Sequence, residues 1–335
     1  MPLAKSANLS TKTFSSSLAQ LPTRNGFGEG LVLAGERDER VMALCADLTE
    51  STRVEGFKQK FPERFVQLGV SEQSLAALGA GMALAGKVPF ITSYACFSPG
   101  RNWEQIRTTI CLQELNVKIA GAHSGVSVGP DGATHQMVED IALMRVLPHM
   151  TVLVPCDAIE TRKAILAAAE YPGPVYVRFA REKTPVFTTD KTPFAIGKAE
   201  VYFSGDDVAI IACGPLLHEA LLAAKELEKV GISAKVINNA SVKPMDEATI
   251  LAAAKHCGAV VTVEEAQAAG GMGSAVCEFL AMNYPVPVIR VGLEDTFGQS
   301  GEPRELLEYY KLTAPWIAKA AKKVVKMKTP NKSRK

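Results

Sequence analysis

Short apolar runs alternate with helix-like stretches along nearly the whole of this 335-residue chain. That alternation narrows the available folds more than any other feature. A buried-strand run followed by a longer amphipathic stretch reads as a strand leading into a crossover helix. Repeated, the unit gives a mostly parallel sheet with helices on both faces. Strand-like runs fall at 40–46, 65–68, 89–93, 117–121, 151–154 and 175–179, with helix-like stretches at 25–37, 72–85, 102–115, 137–147 and 158–170. Residues 182–198 break the rhythm with Pro185, Pro193 and several Thr and Lys, and read as a linker between domains. A second series follows, with strands at 207–213, 233–237, 259–263 and 286–291, helices at 216–230, 246–256 and 270–282, and a last helix to about 325. The expectation is an α/β protein of two doubly wound domains, in keeping with the length. Residues 1–18 read as an arm or loose lead-in, 19–182 as the first domain, 183–198 as the linker, 199–325 as a smaller second domain and 326–335 as a basic tail.

A net charge of +2 gives no global field for nucleic acid, and the basic tail is short and lacks aromatic residues. The apolar runs stop well short of the roughly 20 residues a membrane span needs. The start, Met1-Pro-Leu-Ala-Lys-Ser6, has no apolar core of the signal-peptide kind. The seven cysteines form no Cys-x-x-Cys pair, and Cys45, Cys111, Cys213 and Cys277 lie in apolar runs. Buried reduced thiols in a cytoplasmic protein are the simplest account; Cys156 reads as a more exposed one. No membrane and no nucleic-acid partner are expected.

Chemistry gathers on Ala122-His-Ser-Gly-Val-Ser-Val-Gly-Pro-Asp-Gly-Ala-Thr-His135. An apolar run precedes it and a helix-like stretch follows, so His123, Asp131 and His135 sit on a strand–loop–helix connection. Such connections, at the carboxyl ends of strands, carry the active-site groups of open α/β sheets. Gly125, Gly129 and Gly132 suit tight turns and close approach to a ligand. No Walker A loop is present, Gly270-Gly-Met-Gly273 is not a complete dinucleotide fingerprint, and no His, Cys and carboxylate set has zinc spacing. What remains is polar groups at successive strand ends: Arg24, Asp47, Ser51, Glu72, Phe97, His123, Asp131, His135 and Arg181. Glu72, just ahead of a small-residue helix, is either a helix-terminus partner or a buried acid. The two arginines and the serine either converge on a phosphate, whose geometry guanidinium forks match, or make surface ion pairs.

Gly69-Val-Ser-Glu-Gln73, Ser93-Tyr-Ala-Cys-Phe97 and His123-Ser-Gly-Val-Ser-Val-Gly-Pro-Asp-Gly-Ala-Thr-His-Gln136, in this order, resemble the thiamine-diphosphate enzymes of the transketolase group. The resemblance covers the pyrimidine-binding and C-terminal domains of that family, from about 20 to 325. Its N-terminal diphosphate-binding domain, with a Gly-Asp-Gly motif, has no counterpart here. The resemblance therefore implies the C-terminal half of a split transketolase. A separate N-terminal subunit would hold the diphosphate and the Mg2+ (or Ca2+), in an α2β2 heterotetramer, and this chain would bind no metal. The implied reaction is reversible transfer of a two-carbon ketol unit between sugar phosphates, in pentose phosphate metabolism.

By the same resemblance, Glu72 matches the glutamate that bonds the aminopyrimidine nitrogen in a proton relay. Phe97 matches the aromatic that stacks on that ring, and Asp47 an interface aspartate near the cofactor. His135 matches a catalytic histidine beside the cofactor, and Asp131 a reader of a sugar hydroxyl. Arg24, Ser51, His123 and Arg181 match the phosphate end of the substrate channel. There are two departures. The family's Thr-Phe-Leu-x-Phe is Ser93-Tyr-Ala-Cys-Phe97 here, followed by Ser98-Pro-Gly-Arg101, which alters the pyrimidine pocket wall. The family's acidic-Asp-Gly-Pro is Pro130-Asp-Gly-Ala133. The alternatives are a 1-deoxyxylulose-5-phosphate synthase-like subunit, a 2-oxoacid dehydrogenase E1 beta-like subunit, a non-catalytic interaction module and, more remotely, a transketolase for an unusual sugar phosphate. His123 argues against the first, the retained Arg/Ser/His set against the second, and the presence of Glu72 and His135 against the third.

Overall fold

Seven strands form the first sheet of the computed structural model, which describes residues 3–328. Their order across the sheet is Ser241–Lys243, Thr151–Leu153, Val175–Arg178, Lys118–Ala122, Val88–Tyr94, Val41–Cys45 and Phe65–Gln67. All neighbours are parallel except the first pair. Lys118–Ala122 and Val175–Arg178 are buried along their whole length. Burial on both faces is why these strands read as continuous runs rather than as alternation.

The covering helices carry local reasons to form. In Ala158–Glu170 the Asp157 carboxylate caps the first turn by accepting from Glu160 N–H at 2.9 Å, a contact worth about 1 kcal/mol. Its inner face crosses the helix Thr23–Arg37 at Gly26 and Gly30. A Cβ on Gly26 would lie 1.9 Å from Ala158 O, so only glycine admits this approach.

The second sheet has five strands, in the order Val288–Leu293, Val260–Gln267, Val208–Ala212, Ala234–Asn238 and Glu200–Phe203, the last antiparallel. Two α/β domains thus stand as the strand–helix alternation implies, but the boundary between them is laced. Ser241–Lys243 leaves the second domain to pair with Thr151–Leu153 of the first sheet. Lys183–Pro185 pairs antiparallel with Gln20–Pro22. Just beyond, Asp157 Oδ2 accepts from Phe187 N–H (3.0 Å) and Thr188 N–H (2.7 Å), which straps the connecting segment down.

Several expectations are corrected. The lead-in is not loose: Ala4 N–H bonds Tyr202 O at 3.0 Å, Ser10 N–H bonds Phe187 O at 2.8 Å, and Ala7 and Thr13 are buried. Cys156 is buried rather than exposed, and burial pushes its thiol pKa up. The 102–115 stretch is α-helical only over Trp103–Gln105, then widens into a π-helix over Ile106–Cys111. The hydroxyls of Thr108 and Thr109 bond the carbonyls of Glu104 (3.0 Å) and Gln105 (2.5 Å), in competition with the helical ladder. The 137–147 helix contracts to Asp140–Arg145, because Met137 O is taken by Gly125 N–H at 2.7 Å. The tail expected at 326–335 lies, beyond Lys328, outside the described residues.

Candidate active site

Five neighbouring strands of the first sheet end at one edge, and every candidate residue but Arg24 follows one of them. Glu72 follows Phe65–Gln67, Asp47 and Ser51 follow Val41–Cys45, and Phe97 follows Val88–Tyr94. His123 follows Lys118–Ala122, and Arg181 follows Val175–Arg178. Arg24 comes to the same edge from the first turn of Thr23–Arg37.

At one end, Glu72 is buried at the start of the helix Glu72–Leu84. Its oxygens are taken by side chains rather than by helix N–H groups. Oε1 accepts from Ser93 Oγ at 3.3 Å, and Oε2 meets Arg101 Nη1 at 2.5 Å. Asn102 fixes the backbone by donating to Glu72 O at 2.9 Å. The half-exposed guanidinium of Arg101 also covers the Phe97 ring, its carbon 4.8 Å from the centroid, a favourable cation–π distance.

Aromatic rings run from there to the other end. Phe97 lies 5.5 Å edge-on from His135 and 6.1 Å from Tyr94, centroid to centroid. Tyr94 stacks on His123 at 3.9 Å. His135 is half-buried, and its Nδ1 is 2.9 Å from Thr134 Oγ1.

At the far end Ser51 Oγ lies 2.6 Å from Tyr94 Oη and 3.3 Å from His123 Nε2. Arg24 Nη1 donates to Ser51 O at 2.9 Å, while its buried Nε has no partner. Arg24, Arg53, Asp47 and Ser51 line a cleft of about 460 Å3. Burial, then the like charges of Arg53 and Arg181, lower the Arg24 pKa. Burial first, and then Arg24 and Arg181, pull the His123 pKa down to about 3, so its imidazole is neutral near pH 7. The arginines beside this neutral imidazole suit an anionic ligand, although Asp47 and Glu50 line the same cleft and Asp131 and Glu182 pair with Arg181. Asp47, Arg53 and His123 all hold left-handed φ (61°, 67° and 55°), strained for non-glycine residues and of the kind found at functional sites. Asp131 is ion-paired with Arg181 at 3.0 Å on the rim.

The histidine loop is held from behind by the second domain. Ser127 N–H donates to Glu265 Oε1 at 2.7 Å. Gln136 Nε2, with two hydrogens to donate, lies 3.1, 3.0 and 2.9 Å from Val126 O, Gly129 O and Gln299 O. Gly125, Gly129 and Gly132 all have positive φ, and a Cβ on Gly125 would strike the Glu265 carboxylate at 2.3 Å. All nine sequence candidates therefore meet at one edge. Sequence reasoning missed Arg53, Glu265 and Gln136, and gave Tyr94 and Arg101 no role. The departures at 93–101 were the only signal for the last two.

Residues 19–186 match the family described as "Transketolase, pyrimidine binding domain", and residues 197–317 match "Transketolase, C-terminal domain". The chain belongs to the transketolase family. It is 44% identical over 299 residues to a "Putative transketolase C-terminal section" of Methanocaldococcus jannaschii, covering 88% of this chain and 94% of that one. It is 39% identical over 305 residues to the "6-deoxy-6-sulfo-D-fructose transketolase subunit SqwH" of a Clostridium species, covering 91% and 95%. A solved structure, "Split gene transketolase, inactive beta4 tetramer", superposes with a TM-score of 0.87 at 45% identity, over 92% of this chain and all of that one.

Membership in the transketolase family implies dependence on thiamine diphosphate. The residues present fit the pyrimidine part of that cofactor: a buried carboxyl and an aromatic face meet in one place, bridged by Arg101. Among the described residues no group of three His, Cys, Asp or Glu side chains is placed to hold a metal ion, and no helix is long and apolar enough to cross a membrane.

Proposed function

We propose that this chain is the C-terminal subunit of a split, thiamine-diphosphate-dependent transketolase of the EC 2.2.1.1 type. The enzyme transfers a two-carbon ketol unit reversibly from a ketose phosphate to an aldose phosphate. One observation carries the reading: a buried glutamate beside an aromatic face lies on the same strand edge as a buried histidine near arginines. The first pair suits a pyrimidine ring and the second an anionic sugar end, with His135 between them. The names of the relatives, a C-terminal section and a split-gene chain, support a two-subunit arrangement. A separate N-terminal subunit holds the diphosphate and its Mg2+ (or Ca2+), in an α2β2 assembly of the cytoplasm serving pentose phosphate metabolism.

Bound thiamine diphosphate supplies the covalent handling of the ketol unit. With that cofactor bound, the buried Glu72 would share a proton with the pyrimidine nitrogen and Phe97 would orient the ring. Asp47, on the cleft shared with Arg24 and Ser51, would face the cofactor across the subunit seam. His135 bonds substrate hydroxyls and moves their protons. Asp131 reads a hydroxyl of the sugar chain. Arg24, Ser51, His123 and Arg181 form the phosphate end, the arginines by charge and the neutral His123 through its hydrogen bond to Ser51.

Purified alone, the chain is expected to transfer no ketol unit. With its N-terminal partner, thiamine diphosphate and Mg2+ it is expected to do so, in a coupled assay with pentose phosphates. Full activity of the isolated chain refutes the two-subunit reading. An inactive, correctly assembled complex refutes the assigned reaction.

A further inference from the structure

Tyr94 stands where the resembling family's motif has phenylalanine, and the extra oxygen is not idle. Its Oη lies 2.6 Å from Ser51 Oγ, which lies 3.3 Å from His123 Nε2, and its ring stacks on the same imidazole at 3.9 Å. Ser51 is fixed in turn by Arg24 through its backbone carbonyl.

Proton counting sets the polarity of this row. The neutral imidazole of His123 carries one proton. On Nδ1, which is buried without a partner, that proton would be an orphaned donor, the rarer and costlier arrangement. On Nε2 it points at Ser51 Oγ. Ser51 then donates its own proton to Tyr94 Oη, which leaves the phenolic O–H free to point outward. Arg24, Arg53 and Arg181 all act on His123, and Arg24 interacts with Tyr94 as well. A ligand drawn there is an acceptor.

We propose that Tyr94 is a specificity-determining residue, whose hydroxyl ends a His123–Ser51–Tyr94 donor row and donates to the anionic end group of the sugar substrate. This rests on the reading of that end as an anion subsite, and adds to it a neutral donor that the family's phenylalanine lacks. The row lets the site grade end groups by acceptor strength as well as by charge.

The test uses the full chain and inorganic phosphate, followed through the His123 imidazole by 15N NMR, with the signal assigned by its loss in His123→Asn. Wild type is expected to show an Nε2–H tautomer and a saturable shift with phosphate. Tyr94→Phe keeps the stacked ring and is expected to weaken phosphate about tenfold, as loss of one hydrogen bond to a charged group does. Ser51→Ala, which cuts the row at its middle, is expected to act in the same direction. In the complex with the N-terminal subunit, Tyr94→Phe should raise KM for a phosphorylated acceptor about tenfold. It should leave kcat, and KM for unphosphorylated glycolaldehyde, within about twofold. Equal phosphate affinity in wild type and Tyr94→Phe, or no phosphate binding by wild type, overturns the proposal. A complex that transfers no ketol unit while the phosphate difference persists strikes only the transketolase reaction.

Discussion

Two glutamates, one at the carboxyl edge of each sheet, make the most instructive contrast in the molecule. Glu72 and Glu264 are each 1% exposed, and each lies beside the start of a helix. Glu264 spends both oxygens on backbone, accepting from Met272 N–H at 2.7 Å and Gly273 N–H at 2.8 Å. Its surroundings are so close that a Cβ on Gly271 would lie 2.2 Å from Oε2. Burial raises its pKa to about 7 against the pull of those N–H groups. Glu72 instead bonds two side chains, one of them the half-exposed Arg101. Equal burial thus hides unequal commitment. Backbone partners cannot leave without unwinding a helix, whereas a side chain can rotate away and yield its place to a ligand. The architecture occurs twice and the candidate site once, and what separates them is whether the buried carboxyl has replaceable partners.

The largest effect expected from this contrast is on turnover. Glu72→Ala should lower kcat of the assembled enzyme by about 10² to 10⁴, the usual worth of positioned proton transfer, with little change in the denaturation midpoint of the chain. Glu264→Ala should do the reverse. It strands two helix N–H groups and should cost about 1–3 kcal/mol of stability, read from guanidinium unfolding, while kcat per folded molecule stays within about twofold. If the two variants exchange these phenotypes, the contrast is wrong. Arg101→Ala sharpens it. If that guanidinium is a partner to be exchanged, calorimetric titration of the complex should show thiamine diphosphate binding several-fold more tightly; weaker binding would make Arg101 part of the cofactor's bed. A further effect is on acid stability. An unfolded histidine gains its proton below about 6.5, whereas buried His123 resists until about 3. The unfolded state therefore binds more protons in that window, so stability is fully present above 6.5 and falls as pH drops through it. His123→Asn should lose less stability than wild type between pH 6.5 and 4 in paired urea melts.

The domain pattern was legible because parallel strands buried on both faces advertise themselves as apolar runs, and because the glycine-rich stretch after Lys118–Ala122 needs positive φ at Gly125, Gly129 and Gly132. The candidate residues were legible one strand end at a time. What escaped was every feature made by pairing across long distances. Nothing local tells that Arg101 folds back over Phe97 onto Glu72, or that Glu265 reaches Ser127. The lead-in looked loose because its serines and threonines favour turns, yet its backbone is held by Tyr202 and Phe187. The 102–115 helix failed for a local reason that propensity understates: consecutive threonine hydroxyls bonding the preceding turn.

Ser241–Lys243 is the outermost rib of the first sheet, although it is encoded well past the connecting segment. A fragment ending near residue 190 would bare Thr151–Leu153 as a raw margin, a template for self-association, and would withdraw the glutamate behind the histidine loop. Anyone grafting substrate preference between relatives must therefore move both halves together, and natural recombination between them faces the same barrier.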